Sequence, residues 1–187
     1  MRYTPTARQD SLFGCPYKFI IDACSIISQN PNSTYPRHIY VGLWEAIDDL
    51  VNRHEIVTCK QIASEVSSGK NDDISKQWIS NSGIVILEED KLVQEKVKEV
   101  VNATPKLLRF KTSHNSSGDP FIIATAMEYN LTIVTEENQR SPIKIPQVAK
   151  KFGVKSVSIN ELAQLKGWSF DNNACAGKEK LVGTSTA

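Results

Sequence analysis

The stretch KFIIDACSII (residues 18–27) sets the first constraint on the fold. Five apolar residues surround a single carboxylate, that of Asp22. A short run so rich in isoleucine predicts a buried strand over Lys18–Ile21, with Asp22 at its carboxyl end. An ionised carboxylate is almost never buried unless something compensates its charge. Either Asp22 caps a turn at the end of this strand, or other residues provide that compensation.

The bulk composition is that of an ordinary globular protein. The chain has 187 residues, with 22 basic and 21 acidic side chains and a net charge of +1. This balance neither requires nor excludes a nucleic-acid partner. Because no apolar run approaches the roughly 18 residues that cross a bilayer, and the first residues lack the apolar middle of a signal peptide, we expect a cytoplasmic protein without membrane association. The four scattered cysteines form no C-x-x-C pair, so we expect reduced thiols.

The chain is predicted to hold one domain. Residues 1–17 read as an N-terminal extension, residues 18–170 as the folded domain, and the small, polar residues 171–187 as a flexible tail. Within the domain, short apolar runs alternate with segments of helical period, which predicts an α/β fold with a parallel sheet. The further predicted strands are EIVTCK (55–60), IVIL (84–87, or an extended edge), LTIVT (131–135) and VKSVSI (154–159).

Helices are predicted between these strands. One begins at Asp119, as its N-cap, with Pro120 in the first helical position. Another carries an apolar stripe over Leu92–Val101, which is either core or an oligomer surface. The other helices lie around residues 40–51, 61–69 and 72–80, near Ile145-Pro146, and from Asn160 onward.

Acidic residues fall where the strands of such a sheet end. Asp22 closes the first strand, Glu65 lies in the helix after the second, and Asp119 begins the helix before LTIVT. Glu136 and Glu137 directly follow LTIVT. Each has an ordinary alternative when taken alone: Asp119 as a helix cap, Glu65 as a solvated helix residue, and the Glu136-Glu137 pair as a charged loop.

Taken together, these carboxylates point to a cation. Acidic groups brought to one edge of a sheet repel each other and raise each other's pKa values unless positive charge neutralises them. Oxygen-only clusters of this kind suit Mg²⁺ or Mn²⁺. The sequence therefore predicts a divalent-metal site at the carboxyl edge of the sheet, where ligands of parallel sheets bind.

Four segments resemble the successive motifs of the PIN domain, most closely its prokaryotic DUF4411 branch. They are IIDACSII, the acidic residue in ASEV, GDPFIIATAMEYNLTIVTEE and KIPQVAKKFGVKSVSINELAQL, and they span residues 18–167. The resemblance implies a three-layer α/β/α sandwich with a mainly parallel four- to five-stranded sheet. It also implies a Mg²⁺- or Mn²⁺-dependent endoribonuclease, often the toxin of a toxin–antitoxin pair, with RNA as substrate and a cognate antitoxin or a second copy as partner.

The resemblance also implies roles for particular residues. Metal-ligand or catalytic roles fall on Asp22, Glu65 and Asp119, with Glu136 or Glu137 in the fourth acidic position. Supporting hydroxyl groups fall on Ser25 and Thr135. Many relatives have another polar residue where this chain has Cys24.

The segment KLLRFKTSH (106–114) offers groups for RNA phosphate contacts just before Asp119. These groups are Lys106, Arg109, Lys111 and His114. The alternative is a solvated, charged surface loop.

Other functions remain to be weighed against a nuclease. A haloacid-dehalogenase-like phosphatase needs a second aspartate two residues after Asp22, where Cys24 stands. A cysteine enzyme built on Cys24 needs a histidine base, and no histidine of the chain lies in a recognisable partner motif. The serious alternative is a noncatalytic PIN-like module that binds RNA or protein.

Overall fold

A computed structural model of the protein describes residues 16–68, 74–108 and 118–170. Residues 1–15 of the predicted extension and all of the predicted tail (171–187) lie outside these ranges. Among the described residues the elements follow one another as β1 (Phe19–Ile21), α1 (Ala23–Ile27), α2 (Val41–Asn52), β2 (Ile56–Cys59), α3 (Lys60–Ser67), α4 (Ile74–Asn81), β3 (Val85–Leu87), α5 (Lys91–Ala103), a 3-10 helix (Pro105–Leu108), α6 (Asp119–Tyr129), β4 (Thr132–Val134), α7 (Ile145–Lys151), β5 (Ser156–Val157) and α8 (Ile159–Lys166).

The five strands form one parallel sheet in the order β3-β2-β1-β4-β5. In the register of the central strands, Ile20 of β1 lies opposite both Val57 of β2 and Ile133 of β4. All three side chains are fully buried, as expected for strands covered on both faces. The predicted α/β/α sandwich with a mainly parallel sheet is therefore confirmed.

The helices bury the faces that the sequence pattern predicted. α2 buries the apolar stripe that includes Trp44, Ile47 and Leu50. α6 is apolar nearly all round because it packs against both the sheet and α5. Val93 and Val100 of α5 are fully buried, so the stripe of this helix belongs at least in part to the core.

Three helix starts differ from the sequence prediction. α1 follows Asp22 directly and was not predicted. α6 begins at Asp119 itself, with Gly118 in the N-cap position, so the prediction that Asp119 is the N-cap was wrong. α8 begins at Ile159, one residue early, because Ser158 and Glu161 bond reciprocally in a capping box.

The order of the strands places a switch point between β1 and β4. The chain leaves β1 toward β2 on one side, whereas β4 and β5 continue the sheet on the other side. Ligands of parallel sheets bind in the crevice outside the carboxyl ends of strands at such a point. The residues just after β1 and β4 are therefore the first place to look for a functional site.

Among the described residues, none of the helices combines the length and the apolar character needed to span a membrane.

Candidate active site

Asp22 lies at the switch point, directly after β1, and is only 4% exposed. Its Oδ2 accepts hydrogen bonds from the Cys24 thiol at 2.8 Å and from the Thr135 hydroxyl at 3.0 Å. The backbone N–H of Asp22 donates to the carbonyl of Val134 at 2.9 Å. The carboxylate is thus held by two neutral donors, one in α1 and one directly after β4.

These donors do not fully compensate the buried charge. The pKa of Asp22 is raised from its ordinary 3.8 to about 6, mainly by burial and also by the charges of Asp119 and Glu137, against the opposite effect of the Cys24 and Thr135 hydrogen bonds. A raised pKa means that the ionised form is disfavoured by its surroundings. Added positive charge would stabilise that form.

Cys24, the position at which the sequence departs from the pattern it resembles, makes several polar contacts. Besides its bond to Asp22, its sulfur lies 3.3 Å from the Thr135 hydroxyl and accepts the Glu136 N–H at 3.2 Å. Burial and the neighbouring Asp22 charge raise the pKa of the thiol. A neutral thiol is a hydrogen-bond donor and not a nucleophile, which counts against the cysteine-enzyme alternative.

Glu137 is held at the same edge by two different donors. Lys144 forms an ion pair with its Oε1, and the N–H of Ile145, at the start of α7, donates to its Oε2 at 2.9 Å. The hydrogen bond to Glu137 raises the pKa of Lys144, and the charge of Asp119 raises it further. Asp22, Asp119 and Glu137 lie at one edge of the sheet, called here the acidic edge. Lys144, which is 44% exposed, is therefore a cation within the acidic edge. Lys144 opens one of the four segments that carry the family resemblance, but the sequence analysis gave it no role.

The two adjacent glutamates take different directions. The Glu136 carboxylate accepts the N–H of Ile159, at the start of α8, at 2.7 Å. Burial raises the pKa of Glu136, and the charge of Glu161 raises it further. Glu137, in contrast, acts on Asp22. Of the two candidates for the fourth acidic position, the geometry brings Glu137 to Asp22.

Glu65 and Asp119 meet the start of α6 from two sides. Asp119 lies in the first turn of α6, half-buried, and its charge acts on both Asp22 and Lys144. Glu65 reaches across from α3, and its Oε1 accepts the N–H of Gly118 at 2.7 Å. This bond anchors the helix that presents Asp119.

Close packing explains why residue 118 is a glycine. A Cβ atom there would lie 2.6 Å from Cδ1 of Ile62 and 3.2 Å from the carboxyl group of Glu65. Real Cβ contacts are essentially never as short as the first of these distances. The absence of a side chain at this position lets α3 and α6 approach closely enough for Glu65 to bond the backbone.

The two predicted hydroxyl groups have different partners. Thr135 donates to Asp22, as described above, whereas the fully buried Ser25 donates to the carbonyl of Val134 at 3.2 Å. Ser25 therefore ties α1 to β4. The predicted phosphate contacts Arg109, Lys111 and His114, and the side chain of Lys106, lie outside the described residues.

The donor set at this edge fits a hard divalent ion in its chemistry. Asp22, Asp119 and Glu137 offer only oxygen, the ligand that Mg²⁺ and Mn²⁺ prefer, and Asp22 already carries a pKa raised toward neutrality. No three Asp, Glu, His or Cys side chains within residues 16–68, 74–108 and 118–170 lie close enough to form a ready ligand cluster. Binding an ion would require the carboxylates to draw together, with Glu137 turning from Lys144.

Comparisons with known proteins give a family and a fold. Residues 19–170 match the model of a family described as a domain of unknown function, DUF4411. A chain in the crystal structure of DNA-bound VapBC from Salmonella typhimurium is similar, with a TM-score of 0.50 and 17% identity over 76% of this chain and 98% of that one. At this identity the likeness shows the fold alone.

Two further structures are similar at a lower score. VapBC2 from Rickettsia felis bound to a promoter DNA fragment gives a TM-score of 0.49 and 16% identity, over 75% of this chain and 97% of that one. FitAB bound to an IR36 DNA fragment gives a TM-score of 0.47 and 17% identity, over 75% of this chain and 94% of that one. The comparison with curated proteins finds no match.

Replacing Asp22 with Asn should stabilise the metal-free protein in a pH-dependent way. Because the pKa of Asp22 is raised in the fold, the stability contributed by its protonated form is complete below pH 3.8 and is lost as the pH rises through about 6. The rise in the pKa of Asp22 from 3.8 to about 6 lowers the free energy of unfolding by at most about 3 kcal/mol at neutral pH. Urea unfolding in EDTA should show Asp22→Asn more stable than wild type at pH 7.5 but not at pH 3.5.

The exposed pair Asp49 and Arg53 offers a matched control for that experiment. Asp49→Asn should change the free energy of unfolding by no more than about 0.5 kcal/mol at either pH. A gain for Asp22→Asn that is equal at both pH values would contradict the assigned origin of the effect.

Replacing Gly118 with Ala should destabilise the protein by about 1–3 kcal/mol, because the new methyl group overlaps Ile62. The double variant with Ile62→Val, which removes the overlapping Cδ1 atom, should recover part of this loss. A double-mutant cycle from urea unfolding measures the coupling. Strictly additive effects would show that the close approach of α3 and α6 does not determine the cost.

Proposed function

The chain belongs to the DUF4411 family, and from this premise, together with the resemblance of its motifs to the PIN domain, we propose that it is a metal-dependent endoribonuclease acting at the Asp22 edge of the sheet. The observation that carries the proposal is the burial of Asp22 beside the charges of Asp119 and Glu137. A fold gains no stability from this crowding, because each charge raises the pKa of Asp22. Strongly perturbed groups at a strand switch point are candidates for a functional site.

In this proposal Asp22, Asp119 and Glu137 hold one or two Mg²⁺ or Mn²⁺ ions. Such an ion, when bound, supplies positive charge to a phosphate group and lowers the pKa of a water molecule that can attack phosphorus. Thr135 and Cys24 fix the orientation of Asp22 through the bonds at 3.0 Å and 2.8 Å.

The two remaining glutamates act as positioning residues in this proposal. Glu65 accepts the N–H of Gly118, the N-cap of α6, and Glu136 accepts the N–H of Ile159, the first residue of α8. Each thereby fixes a helix that borders the site, and Glu65 in particular fixes the helix that carries Asp119. The resemblance assigns Glu65 to the metal set and offers Glu136 as one of two candidates for the fourth acidic position, but the contacts of both residues support the positioning role.

Lys144 has two consequences for the same chemistry. It neutralises Glu137 in the absence of metal, so an incoming ion must compete with it. Its partly exposed ammonium group is also suited to contact a phosphate of the substrate. We include RNA as the substrate and a cognate antitoxin protein as a partner in the proposal, on the PIN resemblance.

A noncatalytic module that binds RNA or protein is the second candidate. The observation that favours it is that the carboxylates do not form a ready ligand cluster within the described residues. The pairing of Glu137 with Lys144 would then be a permanent structural contact. A binding module of this kind would retain RNA affinity but would never cleave it.

Cleavage of single-stranded and structured RNA in Mg²⁺, Mn²⁺ or EDTA tests the proposal directly. Wild type should cleave only with metal, and Asp22→Asn or Asp119→Asn should lower the rate at least about 100-fold, because each removes a charge that holds the ion. The exposed Asp49→Asn variant should cleave like wild type. Metal-dependent cleavage that survives in both site variants would refute the assigned site, and no cleavage by folded wild type would favour the binding module.

Removal of the Lys144 charge should strengthen binding of Mn²⁺. Lys144→Gln leaves the acidic edge without its internal cation, so the affinity for Mn²⁺ should rise about three- to tenfold. Electron paramagnetic resonance of free Mn²⁺ measures this without any activity assay. Lys151→Gln, at the exposed far end of α7, is the matched control. Weaker binding in the Lys144 variant would mean that Lys144 positions Glu137 for the ion and does not compete with it.

A further inference from the structure

A groove runs along the edge strand β5, between α7 and α8. Its volume is about 830 Å³, and its lining includes Lys150, Lys155 and Lys166. We propose that this groove binds the phosphodiester backbone of a single-stranded nucleic acid. The inference deepens the proposed function and rests on it, because it assigns a path to the substrate of the same protein.

The charge of the groove is its first argument. Within the described residues, three lysines line it and no aspartate or glutamate does, although the whole chain is nearly neutral. Lys166 is neutralised by Glu55, whose Oε2 it contacts at 2.5 Å. In the described part of the chain neither Lys150 nor Lys155 forms an ion pair, and both side chains are exposed. These two lysines therefore give the groove its net positive charge.

Backbone geometry holds the two lysines on the same side. Lys150 lies in the last turn of α7, and Lys155 directly precedes β5. The turn between them passes through Gly153, whose φ of 73° favours glycine, and closes with a bond from the Val154 N–H to the Ala149 carbonyl at 3.0 Å. This tight turn returns the chain from α7 to the sheet and brings the two ammonium groups to one groove.

The other lining groups favour recognition of a backbone over recognition of bases. The one aromatic ring in the described lining, that of Phe19, already has the Lys166 ammonium over one face, 5.1 Å from its centroid. The side-chain amides of Gln139 and Gln147 are already used, on Glu161 and on the Gln139 carbonyl. Positive charge is therefore the main property through which the groove can bind a ligand. Contacts between lysine and phosphate do not depend on the base sequence of the nucleic acid.

Two residues of the groove lining stand close in the chain to residues of the acidic edge. Gln139 in its lining follows Glu137 by two residues, and Pro146 follows Lys144 by two. A strand held by Lys150 and Lys155 would therefore lead toward Lys144 and the carboxylates. An exposed strand edge can also accept a peptide strand, but β5 is only two residues long and the lysine before it is of the type that discourages strand pairing.

Fluorescence anisotropy of a labelled single-stranded RNA, in EDTA and over a range of salt, tests the groove without cleavage. The Lys150→Gln/Lys155→Gln variant should bind about tenfold more weakly at 0.15 M salt. Its slope of log Kobs against log salt should be about 1.4 less steep, about 0.7 for each lost contact. Lys91→Gln/Lys98→Gln on α5, which removes two exposed lysines away from the groove, should bind like wild type.

Two outcomes would overturn the proposal. One is unchanged affinity and salt slope in the groove variant, with thermal unfolding showing it folded. The other is weakened binding of an acidic peptide while RNA binding is unchanged, which would assign the groove to a protein partner. If wild type binds RNA through the groove but never cleaves it with metal, the proposed nuclease fails and the groove stands. If the Lys150→Gln/Lys155→Gln variant cleaves RNA with a raised KM and an unchanged kcat, the proposed nuclease activity and the proposed groove are both supported.

Discussion

The burial of the Asp22 carboxylate is the constraint on which the rest of the site depends. Asp22 follows a strand that is buried on both faces, and its own side chain is only 4% exposed. Its backbone N–H bonds to β4, and its side chain bonds to Thr135 at the end of the same strand. Asp22 therefore connects the two central strands, and its pKa depends on the charges that lie near their carboxyl ends.

The glutamates of the edge have a common structural role that their charge alone does not suggest. Glu65, Glu136 and Glu137 each accept an N–H at the start of a different helix, α6, α8 and α7 respectively. These N–H groups have no partner within their own helices, so each carboxylate satisfies a donor as it binds. The acidic edge therefore also joins three helices to the sheet. This arrangement explains how the fold tolerates several carboxylates at one edge before any cation is considered.

The sequence predicted the features that follow from local patterns. The apolar periodicity and composition of the sequence located the five strands. The position of carboxylates at strand ends predicted that Asp22 and the Glu136-Glu137 pair share one edge, without choosing between the two glutamates. The patterns failed where contacts depend on residues distant in the chain. Aspartate is a residue type that often caps helices, but at this position Glu65 already accepts the N–H of Gly118. Helix α6 begins at Asp119, one residue earlier than expected. Lys144 could not be found, because its pairing with Glu137 depends on where the loop after β4 returns.

The separation of charge across the molecule bears on how a nucleic acid could approach it. An edge that carries Asp22, Asp119 and Glu137 repels phosphate when no divalent ion is present, and Lys144 offsets only part of that charge. If the proposed function holds, a polyanion would be attracted elsewhere first, and the lysine groove along β5 has no acidic lining among the described residues. Nucleic-acid affinity and metal affinity would then belong to two different surfaces. A divalent ion, when bound, would change the edge from repulsive to attractive for phosphate, so metal binding would govern where a bound strand is engaged.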